Sequence, residues 1–211
     1  MSEHIDLKSL EKKAYRSTFD DGLWDLFTGL IILSLGIASS VGSLFNLSEI
    51  WITIIPALVL NIIAFLIFYL GKKFVTVPRI GFVKFGQKRK SKQLKLKIFL
   101  IIFAVVNLIL AILPFTGLLR TIPVEPLLIT LILGIGFFTF PLCITAYFLD
   151  FTRLYYYALL AGMGLFLTNL IHPMVGAPFD TLLTFGIIGV GITVIGLYYF
   201  IQFLKKYPLS K

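Results

Sequence analysis

A chain of 211 residues that is 58% hydrophobic and only 14% charged, with a mean hydropathy of +0.98, does not belong with soluble globular domains, where about 25% charged residues is usual. The net charge of +9 does not point to nucleic acid, because the basic residues gather beside long apolar runs, as they do at the flanks of membrane spans. The single cysteine, Cys143, leaves no disulfide and no thiolate metal site within one chain.

Residues 1–21 read as a cytoplasmic N-terminal segment. Ile5, Leu7, Leu10 and Ala14 are interleaved with Lys8, Lys12, Lys13 and Arg16, the pattern of an amphipathic helix on a membrane surface or of a solvated tail. Its polar, mixed-charge start is not that of a cleavable signal peptide. The block 22–71 carries two expected transmembrane helices. The first runs from FDDGLWDLFTGL to about residue 45, with Asp20 and Asp21 placed to cap its free amides. The second covers about 49–71, with Pro56 tolerated near its start. Residues 72–97, KKFVTVPRIGFVKFGQKRKSKQLKLK, hold ten Lys or Arg and no Asp or Glu, and form the expected basic cytoplasmic loop between helices 2 and 3. The block 98–204 carries helices 3–6, at about 96–116 (starting within the end of the loop), 126–149, 151–171 and 181–204. Residues 205–211 are a cytoplasmic tail. Each span has the roughly 20 residues that cross about 30 Å of hydrocarbon. The expected fold class is therefore all-α: a polytopic membrane protein of six transmembrane helices with both termini cytoplasmic.

Charge sets the orientation. With both termini inside, 18 of the 19 basic residues fall on the inner side and only Arg120 outside, an asymmetry that disfavours the reverse topology. All nine tyrosines fall at or near that inner face too, either as anchors of the inner leaflet or as the lining of a vestibule.

Small residues mark the expected packing seams. Gly22, Gly29 and Gly36 share a near-heptad stripe with Asp25, Ser40 and Ser43, and Gly186, Gly189 and Gly196 share another with Thr193. Helices in lipid associate through close approach at such residues, so both stripes are expected to face protein, with each other as one partner, and to cross left-handed. Asn61 and Asn107 lie at matching depth in helices 2 and 3, where each amide needs a partner; the simplest pairing is with each other. Gly134, Gly136 and Pro141 predict a kink in helix 4, structural or functional.

Chemistry-bearing residues are few. Asp25, one turn inside helix 1, is the lone carboxylate candidate within a span, with Asp21 one turn earlier on the same face. Both are candidate functional carboxylates; for Asp25 the alternative is a structural group that reaches interfacial water or pairs with a cation such as Arg153. His4 and His172 are about a membrane thickness apart and cannot share a metal. No metal, cofactor or catalytic set is expected, since no serine elbow, HExxH or phosphate loop occurs. In TVPRIGFVKFGQ a surface hairpin is expected around Pro78 and Gly81. Arg79, Lys84, Lys88, Arg89 and Lys90 are the residues expected to meet anionic headgroups or a cytoplasmic partner.

The stretches FDDGLWDLFTGL, VPRIGFVKFG and FLKKYP together resemble a group of small prokaryotic multi-span membrane proteins. The resemblance covers both ends and the central loop; it implies a prokaryotic plasma-membrane location and brings no activity with it. The functional expectation is a non-enzymatic accessory, scaffold or sensor. Its partners would be anionic membrane lipids, a cytoplasmic protein or a second copy in a homo-oligomer, not nucleic acid. A small oligomeric transporter or channel is the chief alternative. A lipid-headgroup enzyme using Asp21, Asp25, Arg79 and Lys84 is the second.

Overall fold

The computed structural model of the chain describes residues 15–44, 50–81, 86–112 and 125–208, and all its regular elements are helical. Helix α1 is Leu23–Leu44. It starts where Gly22 takes a positive φ of 72° and the Asp21 carboxylate accepts the Leu23 amide at 3.2 Å, so a side chain satisfies one of the free amides of its first turn. Helix α2 comprises Ile50–Leu70, a π-helical segment Gly71–Thr76 and a last turn Val77–Ile80, and stops at Gly81 with φ 81°. Helix α3 is Gln87–Ile112. Helix α4 comprises Pro126–Gly134, a π-helical segment Ile135–Thr139 and Phe140–Leu149. Helices α5, Arg153–Val175, and α6, Phe179–Lys206, complete the chain.

Five stretches among the described residues are long and apolar enough to cross a membrane: Leu23–Val41, Ile54–Ile80, Leu127–Leu149, Arg153–Val175 and Phe179–Lys206. Helix α3 is described only to Ile112, short of the expected end of the third span at residue 116. The exposed surface is that of a lipid-facing protein: Leu58, Ile62 and Phe65 on α2 and Ile101 and Ile102 on α3 are each more than half exposed.

The expected basic loop is largely helix. Residues 72–80 continue α2, and 87–97 are the first turns of α3. Val75 and Val77 are therefore helical, which corrects the expected hairpin; residues 82–85, Lys84 included, lie outside the described residues. The reason is local. Lys, Arg, Gln and Leu all favour helix, and a helix leaving a membrane keeps its amides bonded without a partner strand. Among the described residues of this stretch, Gly81 and Gly86 are the two outside helix.

Helices α1 and α6 make the most extensive contact. A Cβ on Gly29 would lie 2.5 Å from Thr193 Oγ1, one on Gly189 2.5 Å from the Leu33 amide, and one on Gly196 2.6 Å from the Leu26 amide. A Cβ on Gly22 would lie 2.4 Å from the Gly196 carbonyl, and one on Gly36 3.1 Å from the Gly186 amide. The two glycine stripes thus meet, and backbone lies against backbone with no room for a methyl group. Gly186 itself has open space at its Cβ position. A second close crossing joins α4 to α5. There a Cβ on Gly134 would meet the Gly162 carbonyl at 2.0 Å, and Thr139 donates its hydroxyl to the Ala158 carbonyl at 3.1 Å. Where a kink is expected, α4 carries a π-helical segment, Ile135–Thr139, just before Pro141, whose ring and missing N–H disturb the preceding turn.

Helix α2 packs against α1, and α3 packs against the Phe140–Leu149 part of α4. The α2–α3 pairing expected from Asn61 and Asn107 is not the one seen. Asn61 Oδ1 instead accepts the Ser34 hydroxyl of α1 at 3.3 Å. The Asn107 side chain lies outside the described residues.

Candidate functional site

One end of the bundle, here the basic end, collects Lys72, Arg89, Arg153 and the exposed lysines of α3 and α6. The segment 15–22 lies across it. Thr18 and Phe19 close a turn on the carbonyls of Tyr15 and Arg16 at 3.1 and 2.9 Å. The Phe19 ring stacks on Phe151 at 5.3 Å between centroids, and Tyr15 and Phe19 are both buried. This packing carries two carboxylates, Asp21 and Asp25, into fully buried positions.

Each carboxylate is met by a cation from a different helix. Asp21 Oδ2 accepts from Lys72 Nζ at 2.6 Å and from the Thr76 hydroxyl at 2.7 Å, while Oδ1 accepts the Leu23 amide. Lys72 also donates to the Thr18 carbonyl at 2.6 Å. Both Asp21 partners sit on the π-helical segment of α2, whose only glycine, Gly71, presses on Leu23 of α1. Asp25 Oδ1 accepts the Tyr157 hydroxyl at 2.7 Å, and Arg153 Nη2 lies 3.1 Å from Oδ2. The latter is a charge contact off hydrogen-bond geometry, because the same guanidinium group donates to the Phe19 carbonyl at 2.8 Å. The Arg153 guanidinium also lies over the Tyr199 ring, 3.9 Å from its centroid.

A third pair closes the ring. Asp150 ends α4 in the left-handed conformation, φ 53°, and the Phe151 amide bonds back to the Ala146 carbonyl at 3.0 Å. Asp is among the few residues that tolerate that backbone. Its carboxylate pairs with Arg89 of α3, whose guanidinium covers the Tyr15 ring at 4.0 Å. Segment 15–22 is thus tied to α2, α3 and α5 by charge, and the tyrosines of this end serve as platforms for cations.

The structure redistributes the residues singled out from sequence. Asp21 and Asp25 belong to one network, and Asp25 has the Arg153 partner considered for it. Arg89, expected at headgroups, is buried and paired inward. Arg79 is partly buried; its Nη1 donates to its own helix at the Val75 carbonyl, 3.1 Å away, and its Nε is buried without a partner. Lys90 is exposed, and the Lys88 side chain lies outside the described residues. Sequence reasoning did not single out Lys72, Thr76, Asp150, Tyr157 or Tyr199. The available signal was the cost of burying Asp21 and Asp25, which requires a cation for each.

Both oxygens of Asp21 and Oδ1 of Asp25 accept hydrogen bonds, while Asp25 Oδ2 faces Arg153 without one. A cavity of about 290 Å³ opens beside it, lined in part by Arg16, Asp20, Thr152, Arg153 and Tyr199. Among the described residues no group of three or more His, Cys, Asp or Glu is placed to hold a metal ion. Comparison with known proteins brings no relative to this site: no family model, no curated protein and no solved structure matches the chain.

Proposed function

We propose that the chain is a multi-pass protein of a prokaryotic plasma membrane, with α3 as its sixth span and both termini on the cytoplasmic side. In this reading it is a binding module whose inner face holds anionic lipid headgroups. One observation carries this. The buried Arg89 and the part-buried Lys72 and Arg153 are each matched by a carboxylate, whereas Arg16, Lys73, Lys90, Lys95, Lys97, Lys205 and Lys206 are exposed and form no ion pair among the described residues. The positive surplus therefore lies on the surface of one end, at headgroup level. The first turns of α3 present Lys90, Lys95 and Lys97 on a helix that becomes apolar from Ile98 onward, so membrane insertion itself sets those amines among the phosphates. Each such residue contributes about 1 kcal/mol near an anionic surface.

The test is lipid retention. The full chain, extracted into nanodiscs of mixed phosphatidylglycerol and phosphatidylcholine, should keep phosphatidylglycerol preferentially on native mass spectrometry. Replacing Lys90, Lys92, Lys95 and Lys97 by Gln should abolish the preference while the protein stays folded. Equal retention of both lipids by the unaltered chain would remove the proposal.

A further inference from the structure

At the end opposite the basic network, α4, α5 and α6 line an open cavity of about 470 Å³, a volume within the roughly 300–1,000 Å³ of small-molecule sites. On α5 its lining includes Leu165, Thr168, Asn169 and His172, spaced as one helical face. His172 stands 19 positions from Arg153 along α5, about 28 Å at 1.5 Å per residue, so this site and the basic end belong to opposite sides of the bundle.

The hydrogen bonds around the cavity leave it rich in acceptors. Asp180 is buried, and its Oδ1 accepts the Thr181 amide at 2.6 Å and the Thr181 hydroxyl at 3.1 Å. Its Oδ2 lies 2.6 Å from His172 Nδ1. A carboxylate oxygen offers lone pairs, so the ring donates from Nδ1, and in the neutral ring Nε2 is left as an acceptor. Thr168 spends its hydroxyl proton on the Gly164 carbonyl at 2.9 Å, and Thr130 spends its own on the Leu127 carbonyl at 2.9 Å. What remains toward the cavity is mainly acceptor capacity, from two hydroxyl oxygens, the Asn169 amide oxygen and the neutral ring's Nε2, with the Asn169 amide nitrogen as a donor, against apolar walls from Ile129 and Leu165. The charge has the same sense. The described residues at this end include Asp180 and Glu125 but no Lys or Arg.

We infer that this cavity is a binding site for a small amphiphilic amine. The ammonium group donates to Thr130 Oγ1, Thr168 Oγ1 and His172 Nε2 under the field of Asp180, and the hydrocarbon part lies against Ile129 and Leu165. The His172 side chain is 54% exposed, which leaves the mouth open at the aqueous edge. The site is independent of the headgroup-binding face.

The experiment is isothermal titration of the full chain in nanodiscs with hexylammonium, using hexanoate and 1-hexanol as chain-matched comparators. Saturable binding at one site per chain is expected for the amine alone. Thr168→Val keeps the shape and removes an acceptor, and should weaken binding about tenfold, the value of a hydrogen bond to a charged donor. Asp180→Asn should weaken it at least as much, and if that variant fails to fold, Thr130→Val takes its place. Hexanoate or hexanol binding as tightly as the amine, no saturable binding, or a Thr168→Val protein that binds like the unaltered chain each overturns the inference.

Discussion

Tyr157 of α5 donates its hydroxyl proton to Asp25 of α1 across 2.7 Å, at a point where Asp25 is wholly removed from solvent. The bond joins two helices that otherwise touch only lightly, and it leaves Asp25 Oδ1 dependent on one donor. Tyr157→Phe should therefore lower stability by about 1–3 kcal/mol, the cost of stranding a buried acceptor. Denaturant titration of the detergent-solubilised chain, followed by far-UV circular dichroism, measures it. A loss of less than 0.5 kcal/mol, on the order of a neutral surface change, would show that the acceptor finds another partner.

Arg153 and Asp25 should behave as a couple. Arg153→Met leaves a buried carboxylate without its cation and should cost about 3–5 kcal/mol. The double variant Arg153→Met/Asp25→Asn removes both charges and should be more stable than the single Arg153 variant. A double variant that merely adds the two single losses would mean that the residues do not interact across the 3.1 Å contact.

The α1–α6 seam separates two kinds of glycine. Gly189→Ala and Gly196→Ala would place a methyl within 2.5–2.6 Å of a backbone amide on α1, and each should destabilise by about 1–3 kcal/mol through overpacking. Gly186→Ala and Gly191→Ala meet open space and should be neutral or stabilising by up to about 1 kcal/mol, from helix propensity alone. Thermal unfolding of the four variants side by side checks the contrast.

Asp150 serves both as a left-handed helix end and as the anchor of Arg89. Asp150→Asn keeps the backbone tolerance and loses the charge; Asp150→Val loses both. The Asn variant should free the first turns of α3, seen as faster hydrogen exchange over residues 87–97, with a small loss of global stability. The Val variant should add about 1–2 kcal/mol of backbone strain. Unchanged exchange in both would separate α3 docking from the Arg89–Asp150 pair.

Topology has a direct readout. In a Cys143→Ser background, Ser91→Cys and Lys206→Cys should react with a membrane-impermeant maleimide from the same side of sealed vesicles. Met174→Cys, at a position 86% exposed near the far end, should react from the other side. Ser91→Cys and Met174→Cys labelling from one side would dismantle the proposed arrangement.

Much of the architecture is legible in the sequence because lipid imposes simple demands. Long apolar runs mark helices, and the spacing of Gly22, Gly29 and Gly36 marks a face that admits close approach. What the sequence conceals are relations settled by tertiary placement. Nothing local to Lys72 distinguishes it from Lys73, yet the π-helical turn of α2 aims one at Asp21 and leaves the other exposed. Arg89 and Lys90 are neighbours in a basic run, and helical rotation alone sends the first inward to Asp150. The basic stretch 72–97 looks like a loop because charge marks the edge of the bilayer; charge says nothing about whether the backbone stays helical beyond that edge. Asn61 shows the same limit. Its depth was readable, but its partner on α1 was not, since any polar side chain at that level would serve.

The buried carboxylates also act as a stop on axial sliding. A piston-like shift of α1 toward the far end would drag Asp21 and Asp25 away from Lys72 and Arg153 and into hydrocarbon, at several kcal/mol for each uncompensated ion. Helix α1 can therefore travel only together with α2, α5 and the α6 helix it interlocks with, and any movement crossing this bundle has to pass as a shift of those four helices as one body or as a tilt about their charged end.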